Sequence, residues 1–135
     1  MGKIAFVFPG QGAQVVGMGQ NVYENSAVAK DVFEQASKAV DLDLKALCFE
    51  ENNDINITEF TQVCLLTTSV AIMEELKTRG VKADVAAGLS LGEYCALVAA
   101  GSMNFVDAAK AVRKRGIFMQ EEVPAGKGTM AAILG

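Results

Sequence analysis

The sequence predicts an α/β domain whose parallel strands are joined by helical crossovers, and three observations carry that prediction. Two short apolar runs, Ile4 to Phe8 and Val85 to Ala87, read as buried strands. Each leads directly into a glycine-flanked turn: Pro9-Gly10-Gln11-Gly12 after the first and Gly88-Leu89-Ser90-Leu91-Gly92 across the end of the second. The stretches between and after them carry apolar residues at helical spacing. Strands alternating with helices imply a parallel sheet, because parallel neighbours need a long crossover rather than a hairpin.

Taken in order, the first strand is cut short by Pro9-Gly10, which leaves it too brief for a signal peptide or a membrane span. Phe6 also spoils a myristoylation pattern after Gly2. The loop that follows fits neither nucleotide-binding motif. A dinucleotide fingerprint needs glycine where Val15 stands, and a phosphate loop starting at Gly12 needs lysine where Met18 stands. What remains is Gln11 between two glycines, with a backbone N–H that the loop is free to aim.

A helix is expected from Ala27 to Val40, capped by Ser26 and carrying Val28, Val32, Ala36, Ala39 and Val40 on one side. Leu42, Leu44 and Leu47 mark a second, short helix, and Glu50 to Asn56 a polar loop. From Thr61 to Arg79, the spacing of Val63, Leu66, Val70 and Met73 predicts a long amphipathic helix closed by Gly80. The second strand then runs into Gly88-Leu89-Ser90-Leu91-Gly92, a G-x-S-x-G turn, and Glu93 to Ala100 reads as a helix ended by Gly101. A last helix spans Phe105 to Glu122, with Asn104 and Asp107 as its capping pair. Its inner face is assigned Phe105, Ala108, Ala109, Val112 and Phe118, while Arg113, Lys114 and Arg115 point in different directions. Thr129 to Leu134 resembles the start of another strand.

In a parallel sheet the loops after the strands emerge at one edge, so the Gln11 loop and the Ser90 turn are expected to face each other. A serine at a strand-to-helix elbow is a candidate nucleophile toward an ester or thioester. Such chemistry needs two N–H donors for the oxyanion. Leu91 supplies one by the geometry of the elbow, and Gln11 is the available candidate for the other.

Composition narrows the classes. The chain has 135 residues, 51% of them hydrophobic, which is high for a short soluble domain and fits a piece of something larger. A net charge of −4 argues against nucleic acid as a partner. The three cysteines, Cys48, Cys64 and Cys95, share no metal-ligand spacing and read as buried reduced thiols, and the short N-terminal run, no signal peptide or span, leads to the expectation of a cytoplasmic setting. There is no histidine.

Phe8-Pro9-Gly10-Gln11-Gly12, Gly88-Leu89-Ser90-Leu91-Gly92-Glu93-Tyr94, Arg115-Gly116 with Met119-Gln120, and Met130-Ala131-Ala132 together resemble the malonyl-CoA:acyl carrier protein transacylase family, in order and across the whole chain. The resemblance implies an α/β-hydrolase-like large domain bearing a nucleophile elbow and a small ferredoxin-like domain, working in type II fatty acid synthesis. Residues 1–128 would form the N-terminal part of the large domain, and 129–135 the start of the strand leading into a missing small domain. By the same resemblance, Ser90 takes a malonyl group from coenzyme A and passes it to the phosphopantetheine thiol of acyl carrier protein. Gln11 and Leu91 correspond to the backbone oxyanion donors, and Arg115 to the arginine that pairs with the malonate carboxylate. A planar guanidinium suits that task because it binds a carboxylate bidentately. The coenzyme A thioester is a substrate, and no cofactor or metal is implied.

Two departures stand out. Many members carry histidine where this chain has Leu89, though that histidine is not their general base. Members are also about twice as long, and their catalytic histidine lies beyond the length matched. Without a base, a serine hydroxyl is a poor nucleophile. The expectation is therefore a fragment, inactive by itself, that self-associates or pairs with a missing C-terminal portion. Two alternatives are a serine esterase or thioesterase using the same elbow, and a non-catalytic protein that binds acyl-CoA or acyl carrier protein.

Overall fold

Strand β1 (Ala5–Phe8) lies parallel to β2 (Val85–Gly88), with Ala5 opposite Val85 and Phe8 opposite Gly88. The computed structural model describes residues 2–128, Ala131, Ile133 and Leu134. Between the strands come α1 (Gln20–Asn25), α2 (Ala27–Val40), α3 (Leu44–Phe49), a 3-10 turn (Asp54–Asn56) and α4 (Thr58–Thr78). After β2 come α5 (Gly92–Ala99) and α6 (Phe105–Glu122). Asp84 sets the strand register by accepting the Ile4 N–H on its Oδ2 at 2.7 Å.

The helix ends follow local chemistry. Ser26 accepts the Ala29 N–H at the start of α2, Asp43 accepts the Ala46 N–H at the start of α3, and Asn104 accepts from Val106 and Asp107 at the start of α6. Gly80 (φ 79°) and Gly101 (φ 71°) take the left-handed conformation after α4 and α5. There the N–H groups of Val81 and Ser102 reach back to the carbonyls of Leu76 and Leu97, forming Schellman endings.

Three expectations need correction. Helix α4 is not amphipathic over its first two thirds: Thr61 through Thr68 are all buried, as are Val70, Ala71 and Met73. It is the axis of the fold, with α6 packed along it and α2, α5, α1 and α3 around it, so from Thr61 to Thr68 no side meets water, and exposure returns only at Ile72. Each fully buried Val, Leu or Met on it contributes roughly 1.5–3 kcal/mol. Its first turn, before the expected start at Thr61, has no side-chain cap of its own, and the Thr58 N–H is accepted instead by Gln120 Oε1 of α6 at 3.2 Å.

The strands, second, are not buried. Phe6, Phe8 and Ala86 join the core, but Ala5, Val7, Val85 and Ala87 face outward, Val7 at 75% exposure. The described helices cover one face of a two-stranded sheet, so the period-2 alternation sends the other apolar residues into the open. Third, Phe118 is 64% exposed rather than on the inner face of α6, where Ala108, Ala109, Val112 and Gly116 are buried.

Helix α1 was not foreseen. It is short, begins at a left-handed Gly19 without a capping side chain, and is held by Tyr23, whose ring meets Phe33 and Phe49 with centroids 5.5 and 5.3 Å away. The strand expected from Thr129 falls in part on Thr129, Met130, Ala132 and Gly135, outside the described residues. Ala131, Ile133 and Leu134 belong to no element and are exposed.

The three cysteines are free and buried. Burial pushes the Cys95 thiol from 9.0 to about 11. The Cys64 thiol is pushed up by its hydrogen bond with Cys48 and by burial. Because folding favours the neutral Cys95 thiol, its contribution to stability is full below pH 9.0 and lost as pH rises through about 11. Near neutral pH, iodoacetamide should therefore leave all three thiols of the native chain unmodified and alkylate all three in guanidinium. Mass spectrometry showing rapid native modification would contradict this burial.

Candidate active site

The turn between β2 and α5 is built by close approach of backbone to backbone. A Cβ on Gly88 would lie 1.9 Å from the Gly92 carbonyl carbon and oxygen, and one on Gly92 would lie 2.2 Å from the Phe8 carbonyl oxygen. A Cβ on Gly10 would lie 2.8 Å from the Leu89 carbonyl oxygen. The ends of β1 and β2 and the start of α5 thus interlock with no room for side chains. The Leu89 N–H donates to the Phe8 carbonyl at 3.1 Å, and the first turns of α5 close with Gly92 N–H on Leu89 and Glu93 N–H on Ser90.

This geometry drives Ser90 to φ 51°, the left-handed region, which for a residue with a side chain costs of order 1–3 kcal/mol and persists only when neighbours enforce it. Ser90 is exposed at the sheet edge, while Leu91 is fully buried. No backbone acceptor among the described residues takes the N–H of Leu91 or of Gln11.

A single hydrogen-bonded line runs from Ser90 to the Gln11 loop. Arg115 of α6 donates from Nη2 to Ser90 Oγ at 3.0 Å and from Nη1 to Gln62 Oε1 of α4. Gln62 donates from Nε2 to Gln11 Oε1 at 3.0 Å, and Gln11 donates from Nε2 to Thr58 Oγ1 at 3.1 Å. The Arg115 guanidinium lies over the Tyr94 ring, 5.8 Å from its centroid. The structure therefore brings Ser90, Arg115 and the Gln11 side chain into one cluster, with Leu91 next to the serine in the chain.

The basic triplet divides by role. Arg113 is neutralised by Glu59, with Nη1 2.7 Å from Oε2 and 2.9 Å from the Glu59 carbonyl oxygen. Lys114 is exposed. Arg115 has no carboxylate within 4.0 Å among the described residues, so its positive charge is unmatched beside the serine. No group able to take a proton lies within hydrogen-bond distance of Ser90 Oγ among the described residues. Glu93 is exposed, and only its backbone engages Ser90. The described residues contain no cluster of metal-ligating side chains.

An open groove of about 910 Å³ begins at Gln11 and runs past Asn56 and Thr58 to Phe118, Met119 and Val123, where the exposed Phe118 forms part of its wall. Gln62 and Thr58 escaped the sequence reading. The one available signal was a pair of polar residues, Thr61-Gln62, directly before the apolar run Val63-Cys64-Leu65-Leu66 of α4.

Replacing Gly92 with alanine should cost about 3 kcal/mol or more, because the new methyl meets backbone carbonyls that cannot turn aside. Gly2, with nothing within 4 Å of its added Cβ, provides the matched control. Denaturant midpoints followed by circular dichroism decide this: equal midpoints for Gly92→Ala and Gly2→Ala would show that the turn has room.

Comparison with known proteins places this arrangement. A family model for the acyl transferase domain matches residues 5–134. The malonyl CoA-acyl carrier protein transacylase of Bacillus subtilis (strain 168) is 52% identical over 136 residues, which cover all of this chain and 43% of the relative. A crystal structure of the Clostridium perfringens malonyl CoA-acyl carrier protein transacylase superposes with TM-score 0.88 at 48% identity, over 93% of this chain and 40% of that one. A malonyl-transacylase solved in complex with a type II polyketide synthase acyl-carrier protein superposes with TM-score 0.87 at 42% identity, over 93% of this chain and 41% of that one. The chain spans less than half the length of these relatives. Over residues 5–134, nearly its whole length, the chain belongs to the acyl transferase domain family.

Proposed function

We propose that this chain is the nucleophile-bearing N-terminal part of an enzyme that moves a malonyl group from coenzyme A to the phosphopantetheine thiol of acyl carrier protein. The observation that carries the reading is an arginine with no acidic partner among the described residues, donating directly to the hydroxyl of a serine held at an elbow. A cation there selects an acyl group that ends in a carboxylate. An esterase acting on neutral esters has no use for it.

In this reading Ser90 Oγ attacks the thioester carbonyl, its proton passing to a base, and the N–H groups of Leu91 and Gln11 receive the oxyanion. Removing one such donor costs ~10² to 10³ in rate. The carbon–sulfur bond breaks, the coenzyme A thiolate leaves and takes up a proton, and a malonyl-serine ester remains. The acyl carrier protein thiol then attacks that ester, forming the new thioester and returning the proton to Ser90. Arg115 pairs with the distal carboxylate throughout.

The base is the missing part. With no histidine in the chain, we assign it to the length of the relatives that this chain does not span. In that complete protein, residues 1–128 belong to an α/β-hydrolase-like domain and 129–135 lead into a ferredoxin-like one. The substrates are cytoplasmic thiols and thioesters. No described helix is long and apolar enough to cross a membrane.

The test is a chimera in which residues 1–135 are continued by the rest of the Bacillus subtilis relative. The chimera should transfer malonyl to acyl carrier protein, and the 135-residue chain should not. Ser90→Ala should abolish transfer, and Arg115→Ala should lower malonyl use by ~10²-fold while leaving acetyl use within a few-fold. Release of free malonate without transfer would make the protein a hydrolase. Binding without acylation of Ser90 would make it a carrier module.

The open face of the sheet, with Val7 and Val85 outward, joins an apolar groove of about 330 Å³ beside β1, lined by Phe6, Phe8, Leu65, Ile72 and Met73. The other edge of β1 has no strand partner among the described residues. Exposed apolar surface next to a free strand edge favours association. Light scattering coupled to size exclusion should show the chain self-associating with rising concentration, and forming a one-to-one complex with the C-terminal part of the relative. A monomer at every concentration that ignores that polypeptide would remove the proposal.

A further inference from the structure

Gln62 is 1% exposed on the second turn of α4, where a polar side chain must find its partners inside the protein. The backbone of α6 presses on it: a Cβ on Gly116 would lie 3.2 Å from Gln62 Cγ and 2.8 Å from Glu59 Cα. The carboxamide is thus confined between the two helices that carry the cluster.

The direction of every hydrogen bond in the line follows from the chemistry of one end. A guanidinium has donors and no acceptor, so Arg115 dictates that the carbonyl end of Gln62 faces it. The Gln62 amide nitrogen is then committed to Gln11 Oε1, which commits the Gln11 amide nitrogen to Thr58 Oγ1. One buried amide therefore orients both Arg115 and the Gln11 side chain.

Its neutrality has a consequence as well. One turn earlier on the same helix, α4 presents Glu59 to Arg113 and cancels that charge. At Gln62, α4 offers Arg115 an acceptor of equal reach without a charge, which holds the guanidinium and leaves its positive charge for a ligand. We propose that Gln62 is a positioning and selectivity residue: it holds Arg115 beside Ser90 and orients the Gln11 side chain, and because it is neutral it keeps Arg115 available to an anionic acyl group. The selectivity half rests on the transacylase reading above; the positioning half does not.

Two substitutions separate the halves. Gln62→Glu keeps an acceptor for Arg115 in the same shape, but adds a charge and removes the donor to Gln11. Gln62→Met fills similar space and removes both hydrogen bonds. In the 135-residue chain, nitrogen-15 relaxation of the Arg115 guanidinium should show an ordered side chain in the parent and in Gln62→Glu, and a freely rotating one in Gln62→Met. In the chimera, Gln62→Glu should lower the malonyl-to-acetyl ratio of kcat/KM by ~10-fold or more, the scale expected when a charge-assisted contact is lost. The loss should come mainly through the KM for malonyl-CoA, and a merely structural defect would lower both substrates together.

An equally ordered Arg115 in Gln62→Met overturns the positioning role, and an unchanged ratio in Gln62→Glu overturns the selectivity role. Should the methionine variant not fold, the Arg115 Nη1 protons of the parent, whose acceptor is Gln62 Oε1, decide it: exchange with solvent slowed relative to a free arginine supports the positioning role, and exchange at the free rate counts against it. A parent chimera that transfers no malonyl removes the functional reading and the selectivity half with it, and the guanidinium measurement still decides the positioning half.

Discussion

Where β1, β2 and α5 meet, three backbones approach more closely than any side chain permits, and the rest of the site hangs on that contact. Gly92 against the Phe8 carbonyl and Gly88 against the Gly92 carbonyl fix where α5 begins, and the chain between them has room for only one path. That path puts Ser90 in a left-handed conformation with its hydroxyl outward. The strain is sustained because the elements on either side are anchored independently, β2 by its pairing with β1 and α5 by packing on both strands and on α4. Rigid elements holding a strained residue give a more reproducible hydroxyl position than a free loop would.

The second constraint is electrostatic. Helices α4 and α6 lie side by side, and two arginines of α6 reach toward α4 with opposite outcomes. Arg113 meets a carboxylate and stacks over Phe60, which makes it part of the packing. Arg115 meets a neutral amide, the serine and the face of Tyr94, which orient the guanidinium and leave its charge unmatched. An unmatched cation held half-buried has a cost in stability, and such groups are retained where a ligand of opposite charge completes them.

Against these ordered parts stands a sheet that, among the described residues, has two strands, an apolar face in the open and an edge of β1 without a strand partner. The chain spans less than half of the relatives it matches, and in α/β folds with parallel sheets both faces are ordinarily covered by helices, whereas here the described helices cover one. Among the described residues the site has a serine and a cation but no proton acceptor within reach. In serine–histidine sites on unrelated folds the nucleophile and base stand far apart in the chain and in different orders, so one segment need not carry both.

Much of this was legible in the residues alone. The bounds of α2 and α6 followed from Ser26, Asn104 and apolar periodicity, and the ends of α4 and α5 from Gly80 and Gly101, because caps and left-handed glycines act within a few residues of themselves. The serine turn was legible for the same reason: its glycines and its strand and helix are contiguous. The burial of α4 on every side from Thr61 to Thr68, the exposure of Val7 and Phe118, the capping of Thr58 by Gln120 and the partnership of Gln62 with Arg115 were not, since each depends on a residue dozens of positions away. Sequence by itself determined the local conformations and the chemical types at the sheet edge. Only the tertiary structure decided which charge was cancelled and which was left free, because that depends on whether Glu59 or Gln62 of one helix lies opposite a given arginine of another.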